Sequence, residues 1–238
     1  MNGLIGLGGT LALLLLAGTL MGLADRRPFN LRWLLLAGLL VAVNDFLLTR
    51  GYGLLPQLFP DATKNWQGQL LALAATLAIA ALPTFGWRRV GLTLAQRPGS
   101  LLAVLPVAAL YCGFFLALAL AFPNDGATRE DAAFQLSMPG LQEEPFYRGI
   151  LLFALDRAFT GRARFLGVNW GWGAVLSCLL FGLMHAFGFS DGAFSFDPMI
   201  MALTALPSFI AVWLRVRTGS LLLPVLLHNF GNSISLWI

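Results

Sequence analysis

Residues 3–23 read GLIGLGGTLALLLLAGTLMGL and contain no charged side chain. A run of this length lets an α-helix cross the roughly 30 Å hydrocarbon core of a bilayer. No lysine or arginine precedes the run, which favours a retained helix over a secretory signal with its usual basic start. We therefore expect a membrane span here, and a leader cleaved near Met21–Asp25 is the lesser alternative.

The rest of the chain has the same apolar character. Hydrophobic residues make up 58% of it and charged residues 11%, and the mean hydropathy is +0.78, outside the usual range of soluble domains. Runs of spanning length predict an all-α polytopic membrane protein, a bundle of about eight transmembrane helices. The predicted spans are approximately 3–23, 31–48, 68–85, 101–122, 132–156, 171–189, 198–214 and 221–238.

The connections between these spans differ in charge. Basic residues concentrate in the odd-numbered connections and the helix ends beside them: Arg26, Arg27, Arg32, Arg88, Arg89, Arg97, Arg157, Arg162, Arg164, Arg215 and Arg217. The even-numbered connections hold few basic residues and most of the acidic ones: Arg50, Lys64 and Arg129, with Asp61, Asp125, Glu130, Asp131, Asp191 and Asp197. The positive-inside rule predicts cytoplasmic odd-numbered connections and both termini outside. Since the basic residues form no dense stripe, nucleic acid is excluded as a partner.

Several ionisable side chains fall inside the predicted spans. The fifth span holds Glu143, Glu144 and Arg148 in the segment QEEPFYRG, and the two histidines of the protein, His185 and His228, lie in the sixth and eighth. Such a residue costs about 2.5 to 3.5 kcal/mol at the centre of a bilayer-spanning helix. One buried histidine is commonly a core residue, but the whole set predicts an intramembrane functional site.

Helical spacing assigns different environments to these residues. Glu144 and Arg148 are four positions apart and can pair on one helix face, whereas Glu143 points about 100° away and lacks that partner. His228 and Asn232 are also four apart, so an imidazole and a carboxamide project together. A carboxylate and an imidazole can take a proton from water, while a second imidazole and an amide stabilise an oxyanion. This chemistry is acyl transfer to water.

Three motifs resemble those of the CAAX-protease and bacteriocin-processing (CPBP) family, the Rce1-like glutamic intramembrane endopeptidases. In chain order they are Glu143-Glu144-Pro145-Phe146-Tyr147-Arg148, Phe181-Gly182-Leu183-Met184-His185 and His228-Asn229-Phe230-Gly231-Asn232. Each motif is weak by itself, but the ordered set on separate spans is specific. The resemblance covers about the last hundred residues, and the first four spans are similar only in being apolar.

The resemblance implies an eight-helix bundle with a conical catalytic cavity. Glu143 and His185 would activate the water, and His228 and Asn232 would stabilise the oxyanion.

Four further residues of the motifs would support the site. Glu144 and Arg148 would be structural or would position the substrate, together with Phe181 and Tyr147. The family commonly has phenylalanine at the position of Tyr147, a mild departure.

The predicted organisation is a single integral membrane domain, 1–238, with four unspecific helices in 1–122 and the catalytic helices in 132–238. At 1.5 Å per residue, Glu143 would lie roughly 16 Å, and His185 about 6 Å, below the outer ends of their spans. We therefore expect a multi-pass protein of the bacterial inner membrane that cleaves membrane-embedded or lipid-anchored proteins or peptides near their C-terminus. A C-terminal sorting tail of exported proteins is the leading substrate, with prenylated CAAX proteins and bacteriocin or signal peptides as alternatives.

Parts of this pattern are also compatible with other functions. No cofactor is expected: two histidines and a glutamate could form a catalytic zinc site, but the His-Glu-x-x-His motif of zinc proteases is absent from the sequence. Cys178, seven residues before His185, could be a transpeptidase nucleophile, but a small buried hydrophobe is favoured. A proton-coupled transporter and a non-catalytic scaffold remain open. Asp45 is expected to pair with Arg50, and Asn44, Tyr111 and Gln135 could reach the site.

Overall fold

The computed structural model describes residues 1–123 and 126–238, so Asp125 lies outside the described residues. The helices are α1 (Asn2–Ala24), α2 (Leu31–Thr49), α3 (Trp66–Ala81), α4 (Ser100–Ala121), α5 (Arg129–Gln135), α6 (Met138–Glu144), α7 (Leu152–Ala158), α8 (Trp172–Ala186), α9 (Pro198–Thr218) and α10 (Leu222–Ser233). A π-helical segment (Pro145–Leu151) joins α6 to α7, and short 3-10 helices follow α2 (Gly51–Leu54) and α10 (Ile234–Leu236). Two antiparallel hairpins pair β1 (Ala163–Phe165) with β2 (Val168–Trp170), and β3 (Phe187–Ser190) with β4 (Ala193–Phe196).

The predicted all-α membrane fold is confirmed. Helices α1, α2, α4 and α9 are each long and apolar enough to cross a bilayer, and α3 and α8 are shorter apolar helices. The fifth predicted span consists of α5, α6, the π-helical segment and α7, and the eighth contains α10. The protein is therefore an integral membrane protein in which some spans are short or interrupted.

Four predicted helix ends were wrong. The third span was expected to reach residue 85, but α3 ends at Ala81, and the seventh was expected to end at residue 214, but α9 continues to Thr218. The sixth span was expected to reach residue 189, but α8 ends at Ala186 and the chain turns into the β3–β4 hairpin. Asp191 and Gly192 form its two-residue turn with φ of 53° and 79°; an Asp-Gly pair is a common hairpin turn because both positions need positive φ. The eighth helix was expected to reach residue 238, but α10 ends at Ser233 and a single 3-10 turn follows.

The main apolar core lies where the π-helical segment and α7 pack against α2 and α8. Phe146, Ile150 and Leu151 of the π-helical segment are almost fully buried there, against Leu34 of α2 and Leu180 of α8. The segment that follows Glu143 and Glu144 is thus buried along its whole length, which limits the positions that its side chains can adopt.

The arginine-rich connections contact one another. Arg27 donates to the carbonyl of Arg162, Arg97 to that of Val216, and Arg217 to that of Gly167. These hydrogen bonds join the first connection to the fifth, the third to the seventh and the seventh to the fifth. The odd-numbered connections therefore lie at one end of the bundle, as expected when successive spans run in opposite directions.

The second and fourth connections are joined through Glu130. Its carboxylate accepts hydrogen bonds from the backbone N–H groups of Thr63 and Lys64, from the Thr63 hydroxyl and from the Trp66 indole. The backbone N–H of Lys64 contributes most to lowering the pKa of Glu130 to about 2, followed by the Thr63 hydroxyl and N–H. Lys64 also pairs with Asp131 at 2.5 Å. This cluster fixes the start of α3 against α5.

We expect Glu130→Ala to release the connection between the 3-10 helix at Gly51–Leu54 and α3. Limited proteolysis of the detergent-solubilised protein should cleave this connection faster than in the wild type. Because the pKa of Glu130 is lowered, the contact should persist above the ordinary pKa near 4.5 and weaken as pH falls towards about 2. Asp61→Ala, an exposed acidic residue in the same connection, is the control, and equal cleavage of the two variants would contradict the assignment.

Candidate active site

Pro145 marks the point where the fifth span changes from α-helix to π-helix. Proline has no N–H to donate to the preceding turn, and the wider π-helical turn begins at this residue. The Ser177 hydroxyl of α8 donates to the carbonyl of Tyr147 at 2.9 Å, which satisfies one backbone acceptor of the distorted segment. Glu143 and Glu144 are therefore the last two residues of regular α6, directly before a widened turn.

Glu144 is the centre of a buried polar network. Its Oε2 lies 3.2 Å from Nε of Arg148, the pair expected from the spacing of four, and both side chains are almost completely buried. Its Oε1 lies 2.7 Å from Nδ1 of His228, which is on α10. One carboxylate thus connects a cation on its own helical segment to an imidazole on another helix.

Phe181 links Arg148 to His185. The guanidinium of Arg148 lies 4.2 Å from the centroid of the Phe181 ring, a cation–π contact, and the centroids of Phe181 and His185 are 4.6 Å apart. Nδ1 of His185 lies 2.8 Å from the carbonyl oxygen of Phe181. Since a carbonyl oxygen only accepts, Nδ1 carries the proton in the neutral ring and Nε2 is left as the acceptor.

The four predicted catalytic residues line one cavity of about 340 Å³. Oε2 of Glu143 lies 3.6 Å from Nε2 of His228, so the two groups are neighbours without a direct hydrogen bond. His185 and Asn232 are exposed to the cavity from α8 and α10. The structure therefore brings together side chains from three spans.

Other side chains complete the walls of this cavity. Tyr111, expected as a possible neighbour, lines it together with Gln135, and the other lining residues are Gln69, Phe115, Phe134, Pro139, Glu144, Arg148, Phe181, Leu203, Thr204, Pro207, Ser208, Ala211, Leu214, Pro224 and Leu227. They come from α3, α4, α5, α9 and α10 in addition to the motif helices. The cavity is enclosed by both halves of the chain.

Two residues that the sequence offered as candidates for the site do not line the cavity. Tyr147 is buried and packs edge-on against Phe181, 4.9 Å between ring centroids. Cys178 is fully buried in an apolar cluster with Leu152 and Val212, as expected for a small hydrophobe.

Several polar contacts near the site were not predicted. The side chain of Asn229 accepts from the backbone N–H of Gly140 at 2.7 Å and donates to the carbonyl of Ser137, which ties α10 to the start of α6. A Cβ at Gly140 would lie 2.5 Å from Oδ1 of Asn229, so this approach needs glycine. Asn229 directly follows His228 in the third motif, and this position is the one feature of the sequence that could have indicated its role.

The polar residues of the second span are also accounted for. Asp45 pairs with Arg50 at 3.1 Å, which confirms the expected pair. Asn44 accepts a hydrogen bond of 2.8 Å from the fully buried Gln142, next to Glu143. Asn44 thus holds α6 through Gln142. This contact joins residues far apart in the sequence, so spacing within one helix does not predict it.

Among residues 1–123 and 126–238, no three His, Cys, Asp or Glu side chains are grouped so that they could hold a metal ion.

Fold and site together define a polytopic α-helical membrane protein with a polar intramembrane cavity. Residues 131–234 match the family model described as type II CAAX prenyl endopeptidase Rce1-like. This segment is therefore similar to the Rce1-like family, as the motifs predicted, and that similarity supports a CAAX-type intramembrane endopeptidase, hence a protease. No curated protein and no solved structure matches the chain.

Arg148→Ala should destabilise the protein strongly. The substitution leaves the buried carboxylate of Glu144 without its cation, and breaking a buried pair from one side costs about 3–5 kcal/mol. Thermal unfolding in detergent micelles should show a clearly lower Tm than the wild type. Arg88→Ala, which removes an exposed arginine outside the network, should leave Tm unchanged; equal Tm values for the two variants would refute the structural importance of the pair.

Proposed function

We propose that the protein is a glutamic intramembrane endopeptidase in which a water molecule, activated by Glu143 and His185, attacks the peptide carbonyl. The convergence of Glu143, His185, His228 and Asn232 on one cavity is the observation that carries this proposal. Because the side chains reach the cavity from separate helices, their meeting is a property of the folded protein and not of any single motif.

His185 suits the role of a proton acceptor. Its Nδ1–H is directed to the carbonyl of Phe181, so Nε2 retains its lone pair. The Phe181 ring fixes the orientation of the imidazole. Together with the carboxylate of Glu143, which is partly exposed to the cavity, His185 can orient a water molecule and take its proton.

His228 suits the opposite role of a hydrogen-bond donor. Glu143 and Glu144 carry two negative charges and Arg148 one positive charge, so an imidazolium at His228 makes the group neutral, the state that a low-dielectric site favours. With Nδ1–H donated to Glu144, the Nε2–H of His228 is available to the oxyanion of the tetrahedral intermediate. Asn232, one turn further along the chain, can add its amide N–H.

The walls of the cavity fit an apolar peptide segment bound in the membrane. Phe115, Phe134 and Leu203 supply apolar surface. The amide oxygens of Gln69 and Gln135 are buried and have no hydrogen-bond partner among the described residues, and they are placed to accept from the N–H groups of an extended substrate. A membrane-embedded or lipid-anchored protein is the substrate class that these features support.

We further propose that the substrate is the C-terminal sorting tail of an exported protein, cleaved in the inner membrane of a bacterium. The support is the charge asymmetry of the connections, which predicts termini outside and a site towards the outer leaflet. Cleavage of a prenylated CAAX protein is the second candidate, supported by the description of the matched family.

Glu143→Ala and His185→Ala should each reduce peptide hydrolysis by about 10²–10⁴-fold, the usual contribution of a positioned general base. Asn232→Ala should lower kcat by about 10²–10³-fold with little change of KM, as removal of an oxyanion donor does. Comparison of membrane-protein termini in cells with the wild type or Glu143→Ala identifies the natural substrate. Full activity of both the Glu143 and His185 variants would disprove the mechanism, and unprocessed prenylated termini would replace the sorting-tail substrate.

Cys178→Ala should retain wild-type activity, since the thiol is buried away from the cavity walls. Activity should also survive prolonged dialysis against a strong chelator, because the proposed mechanism has no metal step. The measurement is the initial rate of cleavage of an identified substrate peptide in detergent. Loss of activity in the Cys178 variant would favour the thiol mechanism, and loss with recovery on adding zinc would favour the metalloprotease.

A further inference from the structure

A strongly cationic pocket lies at the end of the bundle where the odd-numbered connections meet. Its volume is about 540 Å³, and it is lined by Arg97, Arg162, Arg164 and Arg217, with Asp156 as the one acidic residue among its walls. We call this cavity the arginine pocket. None of its residues lines the cavity that contains Glu143.

Only one arginine of the arginine pocket is neutralised. Arg162 pairs with Asp156 at 3.0 Å and donates to backbone carbonyls as well. Arg97, Arg164 and Arg217 have no carboxylate within 4.0 Å in the described part of the chain. The pocket therefore has a net charge of about +3 and unused N–H groups, the arrangement that phosphate oxygens fit best.

Two of these arginines are held in place without being saturated. Nη1 of Arg97 donates to the carbonyl of Val216 at 2.8 Å, and Nη1 of Arg217 to that of Gly167 at 3.1 Å. One hydrogen bond each leaves most of the five guanidinium N–H donors for a ligand. The positions are thus fixed before the ligand binds, which reduces the entropic cost of binding.

An apolar groove of about 670 Å³ shares α4, the β1–β2 hairpin and α9 with the arginine pocket. Its walls are residues of α4, the β1–β2 hairpin, α8 and α9: Val107, Phe165, Leu166, Trp170, Val175, Phe209, Ile210 and Trp213. On α4, Ser100 lines the pocket and Val107 the groove, seven residues or about 10 Å apart along the helix. Along α4 the groove therefore lies about two helical turns further from the end of the bundle than the pocket does.

The β1–β2 hairpin divides its side chains between the two spaces. Arg164 lines the pocket, and the next residues, Phe165 and Leu166, line the groove. Leu166 adopts φ of 49° in the tight turn, an unusual conformation for leucine. The indole N–H of Trp213 donates to the carbonyl of Leu166 at 2.9 Å and holds this turn against α9. An apolar side chain is thus kept at a turn position where Asn or Gly is usual.

We propose that this composite surface binds an anionic glycerophospholipid, with the phosphate in the arginine pocket and the upper part of one acyl chain in the groove. Charge complementarity selects the headgroup, because Arg97, Arg164 and Arg217 have no acidic partner among residues 1–123 and 126–238. The apolar groove favours a lipid over a free anion, because only a ligand with a hydrophobic chain removes the apolar surface of the groove from contact with water. The lipid would fasten the β1–β2 hairpin to α9, which also forms a wall of the catalytic cavity through Thr204 and Ser208.

The test compares lipid binding to the full-length protein in detergent, measured as the rise of Tm with added lipid. We expect phosphatidylglycerol to raise Tm at lower concentration than phosphatidylcholine. Arg164→Ala and Arg217→Ala should each raise the half-saturating concentration of phosphatidylglycerol about tenfold, since each removes a charge-assisted hydrogen bond. Arg88→Ala, at the same end of the bundle but outside the pocket, should bind like the wild type.

A second variant tests the groove without changing charge. Val107→Trp fills the groove and should weaken phosphatidylglycerol binding while the basal Tm without lipid stays near that of the wild type. Equal effects of the two lipids, or an unchanged preference in both arginine variants, would overturn the proposal. A full rise of Tm with inorganic phosphate alone would also overturn it. The same holds if the Phe165→Cys variant forms a crosslinked dimer in the absence of lipid, since a second copy of the protein would then occupy the groove.

Discussion

The carboxylate of Glu144 imposes the constraint on which the rest of the site depends. A buried charge in a membrane protein is tolerated only with partners, and this one has Arg148 on its own helical segment and His228 on α10. The first partner is local, but the second is 84 residues away in sequence and is reached only in the folded bundle. Neutralising Glu144 therefore also orients the His228 ring and directs its Nε2 towards Glu143.

Backbone groups beside this network are held by side chains of the neighbouring helices. The π-helical turn after Pro145 leaves carbonyl groups that the neighbouring α8 must satisfy, as Ser177 does. On the other side, Asn229 binds the backbone at Gly140, where no side chain would fit. Polar groups thus join α6 to α10 and the π-helical segment to α8, and rigid placement of this kind is what preorganised catalysis needs.

Charge has three separate functions in this chain. In the cavity, charges balance one another within a few ångströms, because the surroundings have a low dielectric constant. At one end of the bundle, Glu130 fixes backbone N–H groups and connects loops. At the other end, arginines outnumber acidic residues in the walls of the arginine pocket, which lies next to an apolar groove. The same residue types thus have different environments according to the number of partners that surround them.

The sequence alone determined the membrane fold, the approximate placement of the spans and the identity of the motif residues, since hydropathy, charge and i to i+4 spacing are local properties. It also predicted the Glu144–Arg148 and Asp45–Arg50 pairs, which are close in sequence. Only the tertiary structure placed His228 against Glu144, Asn44 against Gln142, and Cys178 away from the cavity. These contacts join distant spans, and helix packing, which spacing within one helix does not encode, decides them.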